Sequence, residues 1–297
     1  MDRMLALRTF AAVARLRSFA AAARQLRLSP TAASRAVALL EDELGTPLLL
    51  RTTRSVSLTA EGAAYLEACQ SALEQLDDAA RRIRGEDAEP RGRLVVTAPV
   101  VFGRMHVLPV VTRLLRAHPR LSVQLQLADR VVRLAEEGVD AAVRIGELAD
   151  SALHQVKLAQ VRRILVASPA YLAARGEPTD VAGLAGHDLI AFDTFTANGE
   201  WRFTASGRPA ARVEARLITN SVETAIDAAT AGLGICRVLS YQVRRDLADG
   251  RLRRILQDFE PPALPVSLIF PANRRGSPNV GAFIKAAQEE LRLAEMG

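Results

Sequence analysis

The stretch SPTAASRAVALLEDELG, residues 29–45, marks both ends of a helix. Ser29 is an N-cap, and Pro30 falls at the first helical position, where its missing N–H costs nothing. Gly45 supplies the left-handed residue that stops the helix, and Pro47 follows two residues later. Between them Ala33, Ala36, Val37, Leu40 and Leu44 make an apolar stripe, while Thr31, Ser34, Arg35 and Ala38 share the opposite face. Just upstream, Ser18 caps a second helix, FAAAARQL at 19–26, and only Arg27-Leu28 separates it from Ser29. An earlier helix with Leu5, Phe10 and Val13 on one face ends near Leu16-Arg17. Downstream, LLLRTTRSVSLT at 48–59 has two short apolar or β-branched runs around 51–55, which predicts a small hairpin. Helix, short helix, tight turn, helix, hairpin is the order of a winged helix-turn-helix.

The slim polar face of the third helix suits a major groove. Ser29, Pro30, Thr31 and Ser34 keep its first turns narrow, the Ser and Thr hydroxyls can bond base edges or phosphates, and Arg35 can make a bidentate contact to guanine. The helix N-terminus adds a positive field, and Glu41, Asp42 and Glu43 lie at the far end. In the hairpin, Arg51 and Arg54 are placed to straddle the minor groove or grip its backbone. Charge distribution agrees: residues 1–58 hold nine arginines against four acids, a local excess of five. The same face also fits any small helical bundle with surface arginines.

Residues 59–90 reverse that sign, with three arginines against eight acids. From Thr59 onward a single long helix is predicted, in which Leu66, Cys69, Leu73, Leu76, Ala80 and Ile83 recur in steps of three and four. So narrow a stripe on a polar helix needs a partner, either the same helix of a second subunit or the first block folding back. The acidic stretch from Gly85 to Gly92 contains Pro90 and reads as a hinge.

From about Arg93 the pattern alternates. LVVTAP, SVQLQLA and AAVRIG read as strands, with helices at Val107–Ala117 and Val131–Glu137. RRILVAS, DLIAF, RVEARLIT, GICRVL and VSLIF are further strands, with helices near Val222–Ala231, Tyr241–Ala248 and Asn279–Glu295. This alternation predicts parallel α/β layers.

The first 60 residues resemble the LysR-type transcriptional regulators. The likeness runs through Leu5, Phe10, Val13-Ala14, Ser18-Phe19, Ala22-Ala23, Leu26, Ser29, Ala33-Ser34, Leu40-Glu41, Leu44-Gly45, Leu48, Arg51, Arg54, Leu58-Thr59 and Gly62. Leu49 departs from it, since the family commonly has phenylalanine there. TAPVVFGR at 97–104, AAVRIG at 141–146, ASPAYLA at 167–173 and the pair Gly232 and Gly234 extend the resemblance over essentially the whole chain. It implies an α+β winged helix-turn-helix at 1–58, a linker (dimerisation) helix and hinge at 59–90, and an α/β periplasmic-binding-protein-like effector domain at 91–297. That domain would have two subdomains, about 91–161 with 266–297, and about 162–265. The implied partners are double-stranded DNA, a small-molecule effector and further copies in a homodimer or homotetramer, with RNA polymerase as a further candidate contact.

Ligands of such sheets bind beyond the carboxyl ends of strands, where helix N-termini point. That places Pro99, Val100, Phe102 and Gly103 after the first strand, Arg144 and Gly146 at the end of the third, and Thr219 and Asn220 before a helix capped by Ser221. An anionic or polar effector suits Arg144, although an ion pair with Asp129 or Glu147 accounts for it equally. Four histidines without metal spacing and the lack of a nucleophile elbow indicate no metal, no cofactor and no enzyme. No apolar run is long enough for a membrane span, so a cytoplasmic protein is expected. The rivals are a solute-binding protein of the same two-lobed fold, which needs no winged helix-turn-helix, and an α/β enzyme, which needs a convergent acid, base or nucleophile set.

Overall fold

The computed structural model describes residues 2–51, 56–83, 89–130, 132–134, 136–147, 153–192, 200–203, 210–212 and 214–293. The chain forms two compact units, Met1–Gly92 and Arg93–Gly297.

In the first unit, α1 (Arg3–Leu16), α2 (Phe19–Leu26) and α3 (Pro30–Leu44) are each opened by a side-chain cap. Asp2 Oδ1 accepts from the Met4 N–H at 2.9 Å, Ser18 Oγ from Ala21 at 3.2 Å, and Ser29 Oγ from Ala32 at 3.1 Å. Phe10, Val13, Ala22, Ala36, Val37 and Leu40 form the centre of the core. Leu44, placed by its spacing in the buried stripe of α3, is 37% exposed, because the last turn runs past the edge of this small core. The wing is a two-stranded antiparallel pair, β1 (Leu49–Arg51) and β2 (Val56–Leu58).

The long helix α4 (Ala60–Ile83) starts tight against that wing. Thr59 Oγ1 accepts from the Gly62 N–H at 2.8 Å and donates to the Pro47 carbonyl at 2.9 Å. A Cβ on Gly62 would lie 2.0 Å from the Leu48 carbonyl oxygen, so only glycine fits the root of α4. Cys69 is buried in the core around Phe10, and Leu66 packs half-buried against it. Asp77 pairs with Arg8 of α1 at 2.6 Å. The inner half of the heptad stripe thus folds back on the first block, while farther out Leu76 is 50% exposed and Ala80 is exposed.

The second unit has two five-stranded sheets. One is ordered β4 (Leu121–Leu127), β3 (Gly92–Ala98), β5 (Ala141–Ile145), β14 (Leu264–Pro271), β6 (Leu153–Val161). The other is β11 (Ala215–Thr219), β8 (Leu189–Phe192), β12 (Ile235–Leu239), β7 (Arg163–Ala167), β13 (Arg253–Ile255). Helices α5 (Val100–Phe102) and α6 (Leu108–Ala117), joined by a π-turn at Gly103–Val107, and α10 (Pro278–Leu293) belong to the first lobe. The second lobe carries α7 (Pro169–Arg175), α8 (Val222–Thr230), α9 (Arg244–Ala248) and a separate hairpin of β9 (Glu200–Arg202) and β10 (Ala210–Arg212).

Parallel layers are only part of the result. β3 pairs parallel with β5, and β8 with β11 and β12, but β14 runs antiparallel to β5 and β6, and β7 antiparallel to β12 and β13. β14 returns from the second lobe to close the first sheet, which forces the reversal. The helix expected at Val131–Glu137 is not there: among the described residues, 132–134 and 136–138 are turns or irregular. The helix expected over Tyr241–Ala248 shortens to α9, preceded by a 3-10 turn at Ser240–Gln242. RVEARLIT divides between β10 and β11.

Candidate functional site

On α3 the first turn is open to solvent: Ser29, Pro30, Thr31 and Arg35 are exposed and Ser34 is half-buried. The opposite face carries Ala33, Ala36, Val37 and Leu40, each at most 1% exposed. Leu39, 43% exposed, adds an apolar patch on the accessible side that the stripe did not indicate. The helix N-terminus contributes its unsatisfied N–H groups to the same end.

Glu41 has a role that its grouping with Asp42 and Glu43 concealed. Its Oε1 accepts from the Leu48 and Leu49 amides at 2.8 and 3.0 Å. One carboxylate therefore ties the far end of α3 to the first strand of the wing, setting helix and wing relative to each other. The Arg51 side chain and all of Arg54 lie outside the described residues.

In the second unit the hinge ends of both sheets can be located from the crossing strands. The Gly146 N–H donates to the Pro265 carbonyl at 2.9 Å, and the Ser240 N–H to the Arg162 carbonyl at 2.8 Å. Pro99 caps α5 without a side-chain bond; instead the Val100 N–H donates to Asp129 Oδ1 at 3.1 Å. The chain thus fills with its own carboxylate an amide that could have met a ligand. Phe102 is fully buried, and Gly103 is buried with Leu127 Cδ2 only 2.2 Å from where its Cβ would be. These two residues hold the helix to the sheet, whereas Val100 is exposed and Pro99 half-buried.

Arg144 is half-buried one residue before the end of β5. Its Nη1 donates to the Val143 carbonyl at 3.0 Å, and its Nη2 is buried with no hydrogen-bond partner. Neither Asp129 nor Glu147 forms an ion pair with it among the described residues. Burial lowers the Arg144 pKa, partly opposed by the charge of Asp129. Gly146 follows it with φ 116°. In the facing lobe, Ser221 Oγ caps α8 through the Thr224 N–H at 3.2 Å, Thr219 Oγ1 accepts from the Ser221 N–H at 3.1 Å, and Asn220 is exposed.

Three features of this region carry no local sequence signal. Thr97 Oγ1 is fully buried and unbonded near the end of β3. Arg104 pairs with Glu223 at 2.6 Å, linking the first helix of one lobe to α8 of the other. Phe102, His106 and Tyr241 form a ring cluster with centroids 4.8, 5.2 and 5.4 Å apart, Tyr241 edge-on to the other two, and burial lowers the His106 pKa. Cys236 is fully buried, and its thiol is pushed up to about 12 by burial, which makes it a poor nucleophile. Among the described residues no group of three or more His, Cys, Asp or Glu could hold a metal ion, and no helix is long and apolar enough to cross a membrane.

Comparison with known proteins covers both units. The family pattern described as "Bacterial regulatory helix-turn-helix protein, lysR family" matches residues 4–63, and "LysR substrate binding domain" matches 87–292. The chain is 34% identical over 286 residues to the HTH-type transcriptional regulator PtxR of Pseudomonas aeruginosa, covering 96% of this chain and 92% of that one. It is 32% identical to the HTH-type transcriptional regulator CrgA of Neisseria meningitidis, covering 96% of each. The solved structure of CrgA superposes with a TM-score of 0.62 at 30% identity, over 97% of this chain and 98% of that chain.

Proposed function

The chain belongs to the LysR family of bacterial helix-turn-helix transcriptional regulators, and from that premise we propose that it is a cytoplasmic, sequence-specific DNA-binding regulator, not an enzyme, controlled by a small anionic effector held between the lobes of its second unit. The observation that carries the DNA-binding half is α3, whose buried face is core while Ser29, Pro30, Thr31 and Arg35 stand clear of it. Two copies present two such helices to a dyad-symmetric site. The effector half is supported by Arg144 Nη2, a buried guanidinium donor with no hydrogen-bond partner among the described residues. Pro99, Val100, Gly146, Thr219 and Asn220 complete the rim of that cleft, and Phe102 and Gly103 support it from below. A ligand touching both lobes shifts their equilibrium only by its differential affinity for one arrangement. RNA polymerase is the contact through which a bound regulator of this kind acts on transcription.

The reading is tested by retardation of the DNA upstream of the protein's own coding region. Binding that survives excess random DNA supports it, and equal binding to both rejects it. Arg54→Ala is expected to weaken binding to operator and random DNA alike and to reduce the salt slope by about one, as a lost phosphate contact should. A loss confined to the operator overturns the backbone role.

Dimerisation belongs to the outer half of α4, because Leu66 and Cys69 are already engaged with the chain's own core. Leu73, Leu76 and Ala80 remain for a second copy, and Ile83 continues the same spacing in the sequence. Leu76→Asp is therefore expected to shift the protein toward smaller assemblies in light scattering coupled to size-exclusion chromatography, with the thermal unfolding of the head unchanged. An unaltered mass moves the interface elsewhere.

A further inference from the structure

Arg237 is the most deeply buried charge in the second lobe. It is the middle residue of β12 and only 6% exposed. Alternation along the strand puts Ile235 and Arg237 on one face of the sheet, and Cys236 and Val238 on the other. Its Nη2 donates to the Arg202 carbonyl of β9, and its guanidinium carbon lies 5.1 Å over the centre of the Phe203 ring. Among the described residues no carboxylate pairs with it, and the contacts of its guanidinium there are a carbonyl and a ring. Leu239 pairs with Arg163 and Arg237 with Leu165, which puts the two arginines on the same face as diagonal neighbours. Burial and the like charge of Arg163 push Arg237 down to about 10.

Its position relative to the hinge follows from the register. Leu239 ends β12 and leads into Ser240, which grips the crossing strand at Arg162. Arg237 stands two residues before that end, roughly 6–7 Å along the strand, within the reach of an arginine side chain. In the other lobe Arg144 stands one residue before the hinge end of β5, with a buried, unpartnered Nη2. Each lobe thus brings one under-neutralised guanidinium to the hinge end of its sheet. A buried cation is costly without a counter-charge, and an arginine fork matches a planar carboxylate.

We infer that the effector is a small dicarboxylate, one carboxylate held by Arg144 of the first lobe and the other by Arg237 of the second. The inference rests on the cleft reading above and adds to it the second anionic group and the residue that reads it. A ligand with a carboxylate for each lobe also gains its second contact only when both lobes face it, which supplies the differential affinity that regulation needs.

The test is thermal unfolding of the full chain with malonate, succinate, glutarate, adipate and muconate, against acetate, propionate, benzoate and inorganic phosphate at matched ionic strength. At least one dicarboxylate is expected to raise the midpoint at concentrations where the monocarboxylates and phosphate do not. Arg237→Lys, which keeps the charge but not the fork, should weaken that ligand by roughly tenfold or more, the worth of one charged hydrogen bond. An unaltered unfolding midpoint of the ligand-free variant checks its fold. If it does not fold, the ratio of dicarboxylate to monocarboxylate affinity in the unaltered chain decides. Equal protection by monocarboxylates, or full affinity in Arg237→Lys, overturns the second contact and leaves a single-anion cleft intact. Stronger protection by phosphate, or no protection by any of these anions, overturns the dicarboxylate.

Discussion

Replacing Arg274 with methionine is expected to lower the unfolding free energy of the second unit by about 3–5 kcal/mol at neutral pH, the cost of leaving a buried carboxylate without its partner. The carboxylate is Asp140, only 6% exposed just before β5. Its Oδ2 accepts from the Val95 N–H at 2.8 Å, and its own N–H donates to the Val95 carbonyl at 2.9 Å. Asp140 therefore clamps the entry to β5 onto β3, and Arg274, from the turn after β14, lies 2.6 Å from its Oδ1. Both side chains are shielded from water, so solvent does little to screen the pair. Methionine keeps most of the stem's packing, which isolates the loss of charge.

The pH dependence of that loss has a definite sign. Burial raises the Asp140 pKa, with the Val95 amide and the charges of Arg274 and Arg93 opposing it. Removing Arg274 raises it further, so the folded variant holds a proton to higher pH than its unfolded chain does. Stability contributed by that proton is fully present in acid and falls as the pH rises through the raised range. The deficit of Arg274→Met should accordingly shrink as pH drops toward about 4, the ordinary carboxylate range. Denaturant unfolding at neutral and acidic pH measures it, and an equal deficit at both would show that packing, not charge, joins these elements. Asp140→Asn in the same background should recover part of the loss at neutral pH.

What could be read from the sequence here was what local chemistry enforces. Ser18, Ser29, Pro30 and Gly45 determine helix ends through bonds spanning three or four residues, and the three head helices follow from them. Strands covered on both faces, such as β3 and β12, declare themselves as apolar runs. β6 does not, because it is an edge strand whose pattern mixes Lys157 and Gln160 with partly covered apolar residues. Val131–Glu137 carries helical spacing in Val131 and Leu134, three apart, yet Leu134 and Val139 are drawn into the small cluster with Val95, and the chain turns instead.

The sites divide in the same way. Arg35 and Arg144 could be singled out because a lone arginine in a small or apolar run needs a reason. Phe102 and Gly103 stand at a strand's carboxyl end, but what decides their role is how closely Leu127 and the sheet approach, a non-local fact. Glu41 was hidden because its partners are backbone amides seven and eight residues away. Arg237 was hidden because its burial depends on β9, a strand contributed by a different part of the chain.

Arg35→Ala should separate base reading from mere attraction to DNA. Arg35 is exposed on α3 about one and two-thirds turns from Ser29, and nothing in the head's core depends on it. If it makes a bidentate contact to guanine, its removal costs about 1–3 kcal/mol on the operator. On random DNA the same change removes a single charge near the groove, a far smaller loss. Alanine is also the better helix former, so the variant head should unfold no earlier than the unaltered one. Arg35→Lys discriminates further: it keeps the charge and loses the fork, and should resemble alanine on the operator and the unaltered protein on random DNA. Titrations of both variants against operator and random duplexes at two salt concentrations measure all of this. Parallel losses on the two duplexes would make Arg35 a phosphate contact, and sequence reading would then fall to Thr31, Ser34 and their neighbours on the same face.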